Sequence, residues 1–404
     1  MSLPGAPIDG LHAHARSVQP RTVTLRRALH RHPELGLELP RTRDAVVAAL
    51  ADLPVQVHLG RSVSSVVAVL DGHRPGPTIL LRGDMDALPM PEDTGLPFAS
   101  EVAGTMHACG HDTHVAMLAS AAHLLADRRD ELAGRVVFMF QPGEEGFHGA
   151  RYMIEEGLLD RTGPAGRPDA AFALHISATL PSGEVHARPG PLMAAADTIR
   201  VTVSGRGGHA SAPHDALDPV PAAAAMVGAL QTAVTRRIDT HQPVVLTIAH
   251  IIAGTTTNVI PETAYLEGTL RSLSETTRAT MYEEIRRVCR HIAMAHGCTA
   301  EVEIEPGYPV TVNDAGATEH VSDLAGDVLG RDSVATMPAP IMGAEDFSYV
   351  LAEVPGALAF LGGCPPGVDP ALAPPNHSNR VVFDEEAMAA GVAVYAGLAL
   401  GARL

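Results

Sequence analysis

Three apolar runs in the first half of the chain each end in side chains that cannot sit unpartnered in a hydrocarbon interior. Pro77 to Leu81 empties into Arg82-Gly83-Asp84-Met85-Asp86-Ala87-Leu88-Pro89, Arg135 to Phe140 delivers Glu144 and Glu145, and Ala170 to Leu174 delivers His175. Short apolar runs without alternation mark strands buried on both faces. Open α/β sheets carry their chemistry just beyond the carboxyl ends of such strands. The pattern therefore predicts an α/β catalytic domain built on a mixed, helix-covered sheet.

Between the first two of these runs lies Met106-His107-Ala108-Cys109-Gly110-His111-Asp112-Thr113-His114, with three imidazoles, one thiol and one carboxylate in nine residues. Thiolate and imidazole at this density suit a divalent transition metal. A lone C-x-H carries little weight; the strand-end residues around it and His377, with Phe383-Asp384 behind, turn the group into a predicted metal site. Asp86 either ligates or holds a ligating imidazole in its proper tautomer. Of the adjacent Glu144 and Glu145, one can bind metal while the other handles a proton.

The chain carries 46 acidic against 29 basic residues, a formal net charge of −17, which disfavours nucleic acid or an anionic membrane as partner. Trp is absent and aromatics are 3%, so the core is aliphatic. No apolar window reaches the ~18 residues of a membrane span. Met1 to Pro20 is polar, broken by prolines and without a secretory apolar core. Cys109, Cys289, Cys298 and Cys364 have no disulfide spacing; Cys289 and Cys298 read as buried thiols, and a reducing cytoplasm is the expected setting.

At 404 residues two domains are expected. Val18 to His30 and Arg41 to Ala51 read as helices, the first ended by Pro33; His30 and His32 read as complementing its C-terminal dipole, with metal ligation as the alternative. A helix follows from Thr113 to Ala126. From about Asp197 the rhythm becomes strand (198–203), helix (217–236), strand (243–252), strand (264–271), helix (275–296), strand (299–304). That β-α-β-β-α-β order predicts a ferredoxin-like insertion over 193–311, with 1–192 and 312–404 forming the catalytic domain. The C-terminal part reads as helices 315–329, 346–354 and 385–400 and a strand 357–361. The insertion carries Gly205-Arg206-Gly207-Gly208-His209-Ala210-Ser211, then His214, Asn258 and Arg271; its glycine loop matches no phosphate-cradle pattern and could swing over a substrate.

The ordered set Leu29 to Glu34, Arg82 to Pro89, Met106 to His114, Gln141 to Glu145, Leu174-His175, Gly205 to Pro213, Asn258 to Pro261, Gly268 to Arg271, Met342 to Tyr349 and His377 to Asp384 resembles the M20 metallopeptidases. Within them it is similar to the amidohydrolase branch of hippurate hydrolases, N-acyl-amino-acid amidohydrolases and auxin-conjugate hydrolases. The resemblance spans nearly the whole chain. It implies two divalent ions (Zn, Mn, Co or Ni) per subunit, bridged by Cys109, with His111 and His175 completing one and Glu145 and His377 the other. It further implies Glu144 as general base, Asp86 as partner to the ligands, and His209, Asn258 and Arg271 reaching the substrate from the smaller domain. His209 would reach the metals either by hinge closure within one chain, through the segments near residues 193 and 311, or, as the resemblance to several relatives implies, through a homodimer built on the smaller domain in which it enters the partner's site. The sequence departs from the family at Ala178, where proline is frequent, and at Phe147-His148, where glycines are usual.

The chemistry implied is hydrolysis of an N-acyl amino acid to a carboxylic acid and a free amino acid. A dipeptidase or aminoacylase of the same family is the nearest alternative. A thiol amidase with Cys109 as nucleophile and His111 as base has no use for Glu145, His175 and His377, and a non-catalytic metal-dependent binding protein has no use for Glu144.

Overall fold

The computed structural model describes residues 8, 10–160 and 167–401; the polar residues 1–7 read above lie outside them. The chain forms two compact units, one of Met1–Gly190, Val312–Pro338 and Asp346–Leu404, the other of Pro191–Thr311 and Ala339–Glu345.

The first unit is built on an eight-stranded sheet in the order Gln56–Leu59, Val66–Asp71, Ala133–Gln141, Arg74–Asp84, Ala170–Ser177, Gly356–Gly362, Val185–Ala187, Val334–Thr336. The four strands 133–141, 74–84, 170–177 and 356–362 run parallel, and antiparallel strands flank them. Parallel neighbours bring their carboxyl ends to one edge, so Asp84, Gln141 and His175 share that edge although 91 residues separate the first from the last. Helices His111–Asp127 and Ala387–Leu400 pack on the sheet and on each other, and Leu11–Arg31 packs on both. Every residue of Ala387–Leu400 is buried, and its alanines and glycines let it approach its neighbours closely. Its Tyr395 hydroxyl donates to the Arg82 carbonyl at 2.6 Å and accepts from Leu174 N–H at 2.9 Å. One side chain thus ties the ends of two parallel strands together.

The first helix begins at Leu11 rather than near Val18 and runs through Pro20. A proline inside a helix removes one backbone bond and costs ~3 kcal/mol; burial of Leu11 and Ala15 on the near side of it offsets that cost. The predicted helix over 346–354 is confined to Ser348–Leu351.

His30 corrects the dipole reading. It is 1% exposed and links two carboxylates, Nδ1 to Asp112 at 2.9 Å and Nε2 to Glu92 at 3.3 Å. Arg26 joins the same Asp112 at 2.7 Å and Glu385 at 3.0 Å. The network fixes the first turn of the helix that begins at His111. Burial disfavours the charge on His30, but Asp112 and Glu92 outweigh it and the pKa is raised.

The second unit is a four-stranded antiparallel sheet in the order Val244–Ala253, Thr263–Ser272, Ala195–Ser204, Thr299–Pro306, with helices Pro219–Arg237 and Glu275–Ala295. In chain order this is β-α-β-β-α-β, and the strand order is that of a ferredoxin-like fold. Asp218 and Ser274 cap the two helices, accepting from Val220 N–H and Thr277 N–H; Pro219 sits where its missing donor is harmless. The sheet's two edges differ in kind. Thr299–Pro306 alternates Glu301, Glu303 and Glu305, which blunts it, whereas Val244–Ala253 leaves Val245, Ile251 and Ile252 43%, 51% and 54% exposed.

A pH prediction follows from the network. Burial raises the Glu92 carboxyl, but His30, Thr94 and the Ser100 N–H together pull it down to about 2. A folded-state pKa below the unfolded value stabilises above the unfolded pKa and is lost as pH falls through the folded one. Glu92→Gln is therefore expected to lower the melting temperature at pH 7, a loss of order 2 kcal/mol, with the difference from wild type shrinking between about pH 4.5 and 2. A constant difference across that window would show that Glu92 acts through packing alone.

Candidate metal centre

At the carboxyl edge of the parallel strands, side chains from four separate segments converge. Gly110 carries φ +88° and turns the chain from Cys109 into the helix that starts at His111. A Cβ there would stand 2.4 Å from Ile176 Cγ2 and 3.0 Å from Phe383 Cζ, so both conformation and space demand glycine. Ile176 and Phe383 belong to a small apolar cluster with Met106, Ala108, Ala178 and Val381, which floors the site.

Cys109 Sγ lies 3.4 Å from His175 Nε2 and 3.2 Å from His377 Nε2, and His377 Nε2 lies 3.2 Å from Glu145 Oε1. His111 Nε2 stands 3.9 Å from the same Glu145 oxygen. Each buried imidazole donates its other N–H to a backbone carbonyl, His111 Nδ1 to Asp86 O and His175 Nδ1 to Ile176 O, both at 2.8 Å. That fixes the tautomer and leaves the Nε2 lone pairs facing inward. His377 adopts φ +69°, one of two non-glycine residues with a positive φ among those described, and its N–H donates to the Ala108 carbonyl at 2.9 Å.

Asp86 does something the sequence did not suggest. Its two carboxylate oxygens accept from the backbone N–H groups of Glu144 and Glu145, each at 2.9 Å, while its side chain stands 3.6 Å from His111 Nδ1. The imidazole is oriented chiefly by the Asp86 main chain, and the carboxylate holds the loop that carries both glutamates. Glu144 is 6% exposed.

Further residues escaped the sequence reading. Asp84 is fully buried, with Oδ2 2.8 Å from Arg82 Nη1 and 3.2 Å from His111 Nε2, and its Oδ1 accepts from His114 Nδ1 at 2.6 Å. His114 Nε2 in turn accepts from Ile176 N–H at 2.8 Å, so Asp84 positions the backbone next to His175 through one imidazole. Asn376 donates to the carbonyls of Cys109 and Ile176 at 3.1 and 2.9 Å and accepts from Ala178 N–H at 3.1 Å. The period of two in Asp84-Met85-Asp86, which turns both carboxylates to one side of an extended segment, was the available signal for Asp84. Nothing in the sequence marked Asn376 beyond its neighbour His377.

The residues present fit a pair of cations. Cys109, His111 and His175 form one group of three donors and Cys109, Glu145 and His377 another, the ligand atoms in each within 4.8 Å of one another. Asp84, His111 and His114 make a third such group, but both nitrogens of His114 are already engaged. His111 Nε2 and Glu145 Oε1 are buried without a well-aligned hydrogen bond, their nearest polar contacts being Asp84 Oδ2 and His377 Nε2, each at 3.2 Å, a geometry that suits donors turned toward a shared cation. The electrostatics agree. Burial opposes charge on His111, yet Asp84 and Cys109 raise its pKa well above the usual value. Cys109 and Glu145 push His377 up to about 10. Burial and Glu145 hold the Cys109 thiol up, and burial sends His175 far down. The cluster attracts positive charge.

His209, Asn258 and Arg271 lie in the second unit. His209 and Asn258 are neighbours: Gly208–His209 pairs with Val259–Ile260, and Ala210 N–H donates to the Asn258 carbonyl at 3.1 Å. The Ser211 N–H donates to His209 Nδ1 at 3.1 Å, which leaves the ring proton on the exposed Nε2. Arg271 sits elsewhere, in the central strand Thr263–Ser272, paired with Ala196 and Val245.

Residues 80–401 match the family described as Peptidase family M20/M25/M40. The chain is 38% identical to thermostable carboxypeptidase 1 of Saccharolobus solfataricus over 403 residues, covering 97% of this chain and 98% of that one. It is 38% identical to N-acetylcysteine deacetylase of Bacillus subtilis over 343 residues (85% and 88%), and 36% identical to an IAA-amino acid hydrolase of Arabidopsis thaliana over 382 residues (93% and 84%). Among solved structures it superposes on the Bacillus subtilis YxeP protein, described as a dinuclear metal binding peptidase, with TM-score 0.81 and 33% identity over 95% of this chain and 98% of the other. The chain belongs to the M20 peptidase family and is a metal-dependent hydrolase with amidohydrolase relatives. No described helix is long and apolar enough to cross a membrane.

If Cys109 serves both donor groups, Cys109→Ala is expected to lose both ions together, whereas His175→Ala loses one. Elemental analysis after reconstitution, with the thiolate absorption of the Co²⁺-loaded protein as a second readout, checks this. Two ions retained by Cys109→Ala would show that the thiol is not shared.

Proposed function

We propose that the protein hydrolyses the amide bond of N-acyl amino acids on a pair of metal ions, which Cys109 with His111 and His175, and Cys109 with Glu145 and His377, would hold. The observation that carries this is the pair of donor groups meeting at Cys109 with Glu144 on the adjoining loop. Relatives named as an N-acetylcysteine deacetylase and an IAA-amino acid hydrolase support the substrate class.

When bound, the metal pair supplies a water that ionises near neutrality and a Lewis acid for the carbonyl. Glu144 takes the proton of the attacking water and hands it to the departing amine. Asp86 keeps that carboxylate in place through the loop backbone. His209 Nε2–H donates to the developing oxyanion, a type of contact whose loss costs ~10²–10³ in kcat, and Asn258 beside it adds a second polar group. Arg271 grips the α-carboxylate with its planar fork. A second reading, removal of the C-terminal residue from peptides, is favoured by the carboxypeptidase name of one relative. All four cysteines are free, which supports a reducing cytoplasmic setting.

Within the second unit His209 and Arg271 are far apart. From Thr263 to Arg271 the strand runs roughly 26 Å at about 3.3 Å per residue, and the ribbon carrying His209 and Asn258 continues beyond the Thr263 end, where Ser204 pairs with Thr263 and Gly205 N–H donates to Glu262 O. A small N-acyl amino acid cannot span that from a single copy. The unguarded edge Val244–Ala253 is suited to pairing with a second copy. His209 and Asn258 then come from one protomer and Arg271 from the other.

Turnover of N-acyl amino acids against peptides of matched sequence, on metal-reconstituted protein, separates the two readings; cleavage of peptides alone would overturn the first. Glu144→Gln is expected to keep two ions and lose at least ~10²-fold in kcat, because an amide accepts no proton; metal loss in this variant would make Glu144 a ligand instead. Refolding Glu144→Gln together with His209→Ala is expected to restore about one active site per mixed dimer. Dead heterodimers would place His209 in its own chain's site.

A further inference from the structure

Two non-glycine residues among those described hold a left-handed backbone, His377 in the metal centre and His148, at φ 58°, three residues after Glu145. Such a conformation costs of order 1 kcal/mol and persists only where the surroundings enforce it. Here the enforcement is visible. Asp346 accepts from Gln141 Nε2 at 2.6 Å and from Ala150 N–H at 2.9 Å, pinning both ends of the loop 142–149. Gly149 closes it so tightly that a Cβ would stand 1.6 Å from the Pro142 oxygen. Between these pins, His148 Nδ1 lies 2.9 Å from the Tyr349 hydroxyl.

What the bend presents is Phe147. Its side chain is 48% exposed in a chain with eight phenylalanines, most of the rest of which are buried. One side of the ring lies over Gly36, where a Cβ would be 3.4 Å from Phe147 Cε1, and the other is open. Leu35, 40% exposed, bridges to Ala87, the residue after Asp86. Leu35, paired with the residue after Asp86, and Phe147, two residues after Glu145, are thus exposed apolar side chains on the segments that flank these carboxylates.

We propose that Phe147 is the specificity-determining wall for the acyl group of the substrate, selecting aryl or long aliphatic acyl chains over acetyl, and that Tyr349 is a positioning residue acting through His148. This rests on the N-acyl amino acid reading: with the α-carboxylate taken by Arg271 of the second unit, the acyl end falls to the loop that carries the general base. With the carbonyl carbon held near Glu144, the acyl group beyond it would be the part that meets the exposed apolar side chains of Leu35 and Phe147.

The test compares kcat/KM for N-acetylglycine, N-benzoylglycine and N-acetylphenylalanine on metal-loaded wild type, Phe147→Ala, Phe147→Leu and Tyr349→Phe. Phe147→Ala is expected to lower the benzoyl-to-acetyl ratio about tenfold or more, through KM, the scale on which apolar pockets discriminate. Phe147→Leu should recover part of that ratio. Tyr349→Phe should lower the ratio in the same sense with an unchanged melting temperature, which a merely structural role would not do. An unchanged ratio in Phe147→Ala, or an equal fall in the N-acetylphenylalanine to N-acetylglycine ratio, overturns the assignment while leaving the reaction intact. A wild-type enzyme that turns over none of the three overturns both this inference and the reading beneath it.

Discussion

Inward-facing donors that share one small space, with no proton or cation to divide among them, repel each other, and the first unit is arranged around containing that repulsion. Cys109, His111, Glu145, His175 and His377 put a thiol, a carboxylate and three imidazoles against one another. The surrounding Asp84, Cys109 and Glu145 raise the pKa of His111 and His377, so the cluster favours positive charge, as a metal pair would supply. Holding the donors there without one relies on anchors behind them. Backbone carbonyls take the outer N–H of His111 and His175, and Asp84 acts through His114 on Ile176. Asn376 stitches three backbone segments at once.

Those anchors stand on rigid elements. Four parallel strands deliver the ends, Tyr395 ties two of them, and the buried charges of Arg26, His30, Glu92 and Asp112 fix the helix that starts at His111. Removing a fully buried member of the set such as Asp112 typically costs ~3–5 kcal/mol, because the remaining charge has nowhere to go. Local strain is confined to the functional rim. The two left-handed histidines among the described residues are His377, in a donor group able to hold a cation, and His148, at the bend beside Glu145, where side-chain direction matters more than backbone ease.

The second unit follows a different logic. Its helices are capped by side chains and its core is an ordinary aliphatic layer. One sheet edge is guarded by glutamates and the other is not. Its polar residues separate into a His209–Asn258 pair at one end of the central strand and Arg271 at the other. A fold this regular spaces such groups by strand length.

Much of this was legible in the sequence. Apolar runs of Pro77 to Leu81, Arg135 to Phe140 and Ala170 to Leu174 needed burial on both faces, and the residues after them had to lie at one edge once the strands were parallel. The β-α-β-β-α-β rhythm and the donor-rich stretch at 106–114 are equally local, since propensity and residue chemistry act on near neighbours. What the sequence could not decide depends on groups brought together from afar. His30 looked like a helix-end histidine because its partner Asp112 is 82 residues away. Helix 11–31 runs through Pro20 because packing against distant helices outweighs one lost hydrogen bond. Asp86 grips the backbone 58 and 59 residues later, Asn376 reaches Cys109 across 267, and His148 is bent by Tyr349 across 201. The sequence by itself determined which chemistry is present and where each strand would release it. Only tertiary structure decided which atoms hold those groups still, because a hydrogen bond is set by separation in space, and sequence neighbours do not record it.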